Sequence, residues 1–298
     1  MSTPQFQVIT GDCIEIMRGL PAGSVDCCIT SPLYPEIKRS YGTMTEAEWL
    51  PFMGEVMAQL RRVVKPSGSY WINIGPNSMP CTSRRSWPWR FVLNSMDSGH
   101  NLVRDCYWVK KDPAVTNGAG DKGLLRDAVE WLLWFADPEC YRHQRAILLD
   151  YSESALQKIE NRQRFSSVEE VRPSGLRARV DRWAQDNGGA TPFNYIVSAT
   201  AQNPDAEHPA TFPEALPEWC IRYTCPPGGT VLDPFTGSGT TGLVAMREGR
   251  NFVGVELNGD YANMARRRIA GWRHKPIRQR GQDAPEGQET LFAEDVPA

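Results

Sequence analysis

Apolar and polar positions along the first 75 residues switch between a period of two and a helical period. Gln7 to Thr10 predicts a short strand, and Ile14, Ile16, Met17 and Leu20 then take helical spacing up to Pro21. Val25 to Thr30 is apolar on both faces, the pattern of a strand buried inside a mixed sheet. Pro32 and Pro35 forbid its continuation, so Ser31-Pro32-Leu33-Tyr34-Pro35 predicts a loop at the strand's C-terminal end. Thr45 with Glu48 three residues on is a capping box that opens a helix to about Val64. Lys65-Pro66-Ser67-Gly68 ends that helix, and Ser69 to Ile74 is the next strand. Leu102 to Val109 and Trp131 to Ala136 are further strands on either side of a Gly-rich loop, Asn117 to Gly123. From about 150 to 198 the pattern loosens. It resumes with a strand (Thr230 to Asp233), a helix (Thr240 to Glu248), a strand (Asn251 to Leu257) and a helix (Gly259 to Gly271). After Trp272 the chain is hydrophilic and rich in Pro, Gln and Gly, which predicts a disordered tail.

Composition narrows the class. The 298 residues, 41% hydrophobic with ten Trp, nine Tyr and ten Phe, can bury a large core and exclude disorder for the body. Thirty-three Lys and Arg against thirty-five Asp and Glu leave a net charge of -2, so any nucleic-acid surface must be local. One local excess lies where Lys158, Arg162, Arg164, Arg172, Arg177, Arg179 and Arg182 face Glu160, Glu169, Glu170 and Asp181 in the loosened segment. Eight cysteines without a CxxC pair disfavour a disulfide scaffold and a zinc site, and four unclustered histidines suggest no metal site. No apolar run approaches the length of a membrane span, and the start, Met1 to Gln7, is too polar for a signal peptide. A reducing cytoplasm is the expected compartment.

The densest chemistry lies in Val231-Leu232-Asp233-Pro234-Phe235-Thr236-Gly237-Ser238-Gly239-Thr240-Thr241-Gly242, a GxGxxG between a strand and a helix. Glycines admit a ligand to the backbone, the helix N-terminus offers free N–H groups, and Glu256 at the end of the next strand can accept bonds from ribose hydroxyls. Several nucleotide-binding folds share this physics, an NAD-dependent oxidoreductase among them. Two features weigh against a nicotinamide cofactor. Asp-Pro-Phe-Thr occupies the place where a dinucleotide fold turns at once toward a pyrophosphate, and only 56 residues follow the motif. The remaining strands must therefore come from residues 7 to 136, in a permuted order, and a carboxylate in the loop suits a cationic ligand better than a diphosphate.

Thr30-Ser31-Pro32-Leu33-Tyr34, preceded by Gly11-Asp12-Cys13 and the strand Val25 to Thr30, resembles the catalytic motif of DNA amino-methyltransferases. His208-Pro209-Ala210-Thr211-Phe212-Pro213 and Asp233 to Thr241 resemble the cofactor motifs of that family, and catalytic motif first, glycine motif last is the order of its beta group. The resemblance runs from about residue 7 to 272 and is weakest between 150 and 198. It implies an α/β, Rossmann-like, S-adenosylmethionine-dependent methyltransferase sheet, mostly parallel and of about seven strands, with helices on both faces and a target-recognition insertion. Residues 1–149 would form the catalytic half, 150–200 the insertion, 201–272 the cofactor-binding half and 273–298 the tail. The implied activity is site-specific methylation of an exocyclic amine in duplex DNA, with the target base flipped out, in the setting of restriction and modification.

The resemblance carries Ser31, Pro32 and Tyr34 over as catalytic residues. It carries Asp12, His208, Thr211, Phe212, Asp233, Phe235, Gly237, Ser238, Gly239 and Glu256 over as cofactor-binding residues. An aromatic amine is a poor nucleophile because its lone pair is delocalised. Hydrogen bonds to the Ser31 hydroxyl and the Pro32 carbonyl would favour a pyramidal nitrogen, and Tyr34 would stack on the extruded base. Leu33 departs from the family's usual proline and leaves those three groups in place. Within the family that it resembles, serine at the first position accompanies cytosine N4 methylation more often than adenine methylation, so cytosine is the implied base, with adenine N6 as the alternative and a non-catalytic DNA-binding module as an alternative of another class.

Other signals are weaker. Pro80-Cys81 invites comparison with five-position cytosine methyltransferases but stands in a polar loop away from a suitable glycine motif. Arg84, Arg85, Trp87, Trp89 and Arg90 read either as half a helix with its Trp packed inward or as a cleft lining. Arg266, Arg267, Arg268, Arg273, Lys275, Arg278 and Arg280 read as a solvated helix end or as phosphate contacts. Besides duplex DNA, partner expectations are a homodimer and a bacterial sliding clamp. The clamp contact rests on Gln288-Glu289-Thr290-Leu291-Phe292, with Gln288, Leu291 and Phe292 resembling a short clamp-docking peptide.

Overall fold

The computed structural model describes residues 3–37, 42–75, 85–111, 113, 127–157, 159, 188–199 and 212–274. In chain order its elements are β1 (Phe6–Thr10), α1 (Cys13–Gly19), β2 (Val25–Thr30), α2 (Glu46–Val63), β3 (Val64–Ile74), α3 (Trp87–Asp97), β4 (Leu102–Lys110) and β5 (Val129–Ala136). They continue with β6 (Tyr195–Ser198), α4 (Ala215–Thr224), β7 (Thr230–Asp233), α5 (Thr240–Arg247), β8 (Asn251–Glu256) and α6 (Gly259–Ala270). The strands form one sheet in the order β1-β8-β7-β2-β3-β5-β4-β6. All neighbours are parallel except β5, which runs antiparallel to β3 and to β4. The permutation is visible in this order. The late β7-α5-β8 unit enters between β1 and β2, pairing Val231 with Cys27 and Phe252 with Phe6. The eighth strand, β6, exceeds the seven expected, because its few residues lie at the end of the loosely patterned segment.

Period-two alternation sends successive β2 side chains to opposite faces. On one face Cys28 joins Met17 of α1, Trp49, Met53, Met57 and Leu60 of α2, and Phe91 of α3. On the other, Cys27 and Ile29 join Cys220 and Ile221 of α4, Val244 of α5, and Ala265 and Ile269 of α6. Each large side chain so buried contributes about 1.5–3 kcal/mol. The Thr45 capping box forms as expected, with the Thr45 hydroxyl accepting from the Glu48 N–H and the Glu48 carboxylate accepting from the Thr45 N–H. One expectation needs correction: Lys65 to Gly68 do not separate α2 from the strand. They belong to β3 as a bulge between the pairs Val25↔Val64 and Cys27↔Ser69. Gly68 makes this bulge possible, since a Cβ there would stand 2.7 Å from the Asp26 carbonyl.

The chain divides into two compact units, residues 143–193 and the remainder. The described residues of the smaller unit include a 3-10 turn, Gln144–Ile147, and an antiparallel bridge between Leu149 and Ala190. Most of the expected insertion at 150–200 lies outside the described residues. Among the described residues no helix is long and apolar enough to cross a membrane.

Candidate functional site

The C-terminal ends of β2, β7 and β8 lie side by side, because β7 pairs with both of the others. Ser31 and the glycine loop therefore leave neighbouring strands, the crevice in which open α/β sheets bind ligands. The loop is built by its own backbone. Gly237 and Gly239 take φ of 52° and 83°, the left-handed region, and a Cβ on Gly239 would come within 3.0 Å of the Ala265 Cβ on α6. The Thr236 N–H donates to the Val255 carbonyl at 2.9 Å, and the Gly237 N–H donates to Glu256 Oε2 at 2.8 Å. Glu256 Oε1 accepts from the Asn258 N–H at 2.9 Å. Burial pushes the Glu256 carboxyl up, against the pull of the Asn258, Gly237 and Leu257 N–H groups.

Asp233 connects the loop to the catalytic strand. Its carboxylate is 1% exposed and accepts from the Thr30 hydroxyl at 2.6 Å, the Thr241 hydroxyl at 2.7 Å and the Phe235 N–H at 3.1 Å. Desolvation pushes its carboxyl up to about 6 despite these three donors. Phe235 packs edge-on against Phe52 of α2 at 6.1 Å. Buried Ser238 has its hydroxyl 3.0 Å from an Arg268 donor that also reaches Thr240 at 3.0 Å, and Arg268 pairs with Glu214 at 3.4 Å. Phe212 packs on the core face shared by α4, α5 and α6. Asp12 caps α1, its Oδ1 accepting from the Ile14 and Glu15 N–H groups, at the end of β1 where the Gly11 N–H meets the Glu256 carbonyl.

The Ser-Pro-Leu-Tyr loop is held from three sides. The buried Trp49 indole donates to the Leu33 carbonyl at 2.6 Å. A carbonyl is what position 33 contributes to this anchor, and any residue supplies one. The Tyr34 ring lies 5.6 Å from Trp87, which meets Trp49 edge-on at 4.6 Å. The Tyr34 hydroxyl accepts from the Gly75 N–H at 2.7 Å and donates to Glu130 Oε2 at 3.4 Å. Lys110 Nζ holds Glu130 Oε1 at 2.7 Å while resting 5.2 Å over the Trp108 ring. Burial, then the Glu130 charge, raises the Tyr34 hydroxyl well above its ordinary value, opposed by hydrogen bonds from Ser31 and Gly75.

Glu130, Lys110, Trp49 and Gly75 were not among the expected site residues. A lone acid at the start of the apolar run Val129 to Ala136 is the only sequence signal for Glu130. Among the basic stretches, Trp87 is fully buried as the packed-helix reading expects, Trp89 stays 48% exposed with its ring edge-on to Trp131, and Arg85 pairs with Glu46 at 3.0 Å. Arg266 and Arg268 are not a freely solvated helix end: Arg266 donates to the Val8 carbonyl and the Thr10 hydroxyl, and Arg268 serves the glycine loop. His208, Thr211, Cys81, the 117–123 loop and Gln288, Leu291 and Phe292 lie outside the described residues.

The donor set decides what ligand fits. Asp12, Asp233 and Glu256 bring three acids to adjacent strand ends, and residues 233–240 carry no basic side chain. Such a site suits a cationic ligand with ribose hydroxyls and not a diphosphate.

Comparison with known proteins agrees with this chemistry. A family model described as DNA methylase matches residues 25–267. The type II methyltransferase M.PvuII of Proteus hauseri is 28% identical over 87% of this chain and 82% of its own length. M.XycI of Xanthomonas campestris pv. cyanopsidis is 29% identical over 90% and 89%. Among solved structures, the PvuII DNA methyltransferase (cytosine-N4-specific) superposes with a TM-score of 0.68 at 22% identity, covering 90% of this chain and 87% of that one. A complex of M1.HpyAVI with SAM gives 0.56 at 20% identity, covering 89% and 99%.

Proposed function

The chain belongs to the DNA methylase family, and from that premise we propose that it methylates the exocyclic N4 amine of cytosine in a short duplex DNA sequence. It is a DNA methyltransferase of the N4/N6 type, and its cofactor is S-adenosylmethionine. When bound, the cofactor supplies an electrophilic methyl group on a sulfonium. The observation that carries the reading is the 2.6 Å bond from Thr30 to Asp233, which joins the residue before Ser31 directly to the base of the glycine loop.

In this reading the Ser31 hydroxyl and Pro32 carbonyl accept hydrogen bonds from the amine and turn its lone pair out of conjugation. Orientation of this kind supplies much of the acceleration, and no strong base is needed before attack. Tyr34, braced by Trp87, offers its ring to the flipped base. Phe235, Gly237, Ser238 and Gly239 shape the methionine end of the cofactor site, with Asp233 setting their position from beneath. Glu256 serves the ribose, Asp12 flanks it, and His208, Thr211 and Phe212 complete the site from the segment before α4. Incubating the protein with duplex DNA and labelled cofactor, then digesting to nucleosides, tests this. N4-methylcytosine is expected and should vanish with Ser31→Ala; N6-methyladenine would overturn the choice of base, and no methylated base would overturn the activity.

Residues 150–200, with the 80–90 and 113–123 loops, are proposed to read the target, the basic side chains meeting phosphates and a few others the base edges. Exchanging the 150–200 segment with that of a relative should change the methylated sequence. A homodimer, checked by sedimentation, and docking of Gln288, Leu291 and Phe292 on a sliding clamp, checked by surface plasmon resonance with a 280–298 peptide, are the proposed protein contacts. Clamp binding that survives Leu291→Ala with Phe292→Ala would refute that docking mode.

A further inference from the structure

Helix α4 starts without a side-chain cap. Glu214 occupies the position where a Ser, Thr, Asp or Asn side chain commonly closes a helix, yet its carboxylate makes no capping bond. It turns instead to two arginines of other helices. Its Oε2 meets Arg247 of α5 at 2.6 Å, and its Oε1 meets Arg268 of α6 at 3.4 Å. Resting on the cofactor-site reading above, we propose that Glu214 and Arg268 are positioning residues for S-adenosylmethionine, a strut that ties the segment ending at Pro213 to the glycine loop and presets that loop for the ligand.

The strut grips the loop at its softest point. Ser238 lies between Gly237 and Gly239, both left-handed, and glycine has the most backbone freedom to lose on ordering. Arg268 Nη1 donates to the Ser238 hydroxyl at 3.0 Å, the Ser238 carbonyl at 3.3 Å and the Thr240 hydroxyl at 3.0 Å. One guanidinium therefore holds the loop from its middle to the first residue of α5. Through Nη2 the same guanidinium reaches Glu214, the residue that follows His208 to Pro213. Two stretches with the sequence character of cofactor motifs are thus joined by a side chain that belongs to neither.

Charge and burial explain why these residue types are needed. The Arg247 side chain is 8% exposed, and those of Glu214 and Arg268 are 23% exposed. Burial pulls the Arg268 guanidinium below its ordinary value, and the Glu214 carboxylate works against that pull. A neutral side chain at 214 would leave the two guanidiniums without the carboxylate between them. Lysine at 268 would keep the charge, but one ammonium cannot copy a planar fork that serves three loop oxygens and a carboxylate. A loop ordered in advance spares the ligand that ordering cost, so the strut acts on cofactor binding and not on the chemical step that follows it.

Calorimetric titration of the full chain with S-adenosylmethionine, and with its neutral thioether product S-adenosylhomocysteine, tests the strut in Glu214→Gln, Arg268→Lys and Arg268→Met. Both dissociation constants should rise about tenfold in each variant, while kcat at saturating cofactor stays within about twofold of wild type. The sign separates positioning from simple charge. Removing a cation near a cationic ligand would, by Coulomb's law alone, tighten S-adenosylmethionine and leave the thioether unchanged. The strut requires weaker binding of both. The losses in Glu214→Gln and Arg268→Met should also overlap, so that the double variant binds little worse than Arg268→Met. Circular dichroism checks that each variant folds, and Glu214→Gln, the mildest change, decides the matter if the Arg268 variants do not. Unchanged affinities, a loss of kcat at unchanged affinity, tighter S-adenosylmethionine in Arg268→Met, or additive losses in the double variant would each overturn the strut. A wild-type chain that binds neither ligand would refute the cofactor reading instead, and that result precedes any variant.

Discussion

Replacing Thr30 with valine tests the joint between the catalytic strand and the glycine loop. Valine keeps the shape of threonine and removes one donor, the hydroxyl 2.6 Å from Asp233 Oδ1. The carboxylate keeps the Phe235 N–H at 3.1 Å and the Thr241 hydroxyl at 2.7 Å. A hydrogen bond to a charged group is worth about 1.5–3 kcal/mol, so the variant should lose about 2 kcal/mol near pH 8. The loss should depend on pH in a defined sense. Burial raises the Asp233 carboxyl from 3.8 to about 6, so keeping it ionised in the fold costs about 3 kcal/mol. A group raised on folding favours the native state when protonated; that stabilisation is complete below about 3.8 and gone above about 6. Removing the Thr30 donor raises the folded value further. The destabilisation is therefore largest above about pH 7 and shrinks near pH 5, where the protonated carboxyl depends less on donors. At roughly 2.1 cal/mol/K per residue, unfolding of this chain has an entropy of about 0.6 kcal/mol/K, and 2 kcal/mol is about 3 °C in Tm. Urea unfolding of both proteins between about pH 5 and pH 8 measures the difference. Equal losses at both ends of that range, or no loss at pH 8, would refute the account of Asp233.

Trp49→Phe removes the donor at 2.6 Å from the Leu33 carbonyl and leaves that half-buried acceptor short of a partner, so kcat should fall several-fold while calorimetric cofactor affinity stays level. Gly239→Ala imposes a φ of 83° on a residue with a Cβ and presses that Cβ against Ala265; the thermal shift given by S-adenosylmethionine should shrink by several degrees. All seven described cysteines are buried, and burial pushes Cys13, Cys106 and Cys225 to about 12. Ellman's reagent near pH 8 should leave them unmodified in the native protein, which rapid labelling of more than one thiol before denaturation would contradict.

The parts of this protein that depend on neighbours in the chain are readable without a structure. The bounds of β2 follow from an apolar run closed by Pro32, and the start of α2 from Thr45 and Glu48, because a cap is made within a single turn. The glycine loop is legible for the same reason, since only glycine enters the left-handed region cheaply at 237 and 239. The Ser31, Pro32 and Tyr34 motif and the permuted order of the two halves also stand in the sequence, as residue types and as the count of strands before and after the loop. Other features needed the fold. The helix α4 and the strand β6 escaped the pattern: α4 carries a proline, Pro217, in its first turn, and β6 has only four residues on the sheet's edge. The role of Asp233 as the joint to Thr30, 203 positions away, arises because β7 is inserted beside β2. Glu130 reaches Tyr34 across 96 positions only because β5 runs antiparallel against β3 and brings its first residues to the active end of the sheet. Backbone propensity and capping act over a few residues. Strand order, and the burial that turns an ordinary acid into a directed acceptor, come from the packing of the whole chain.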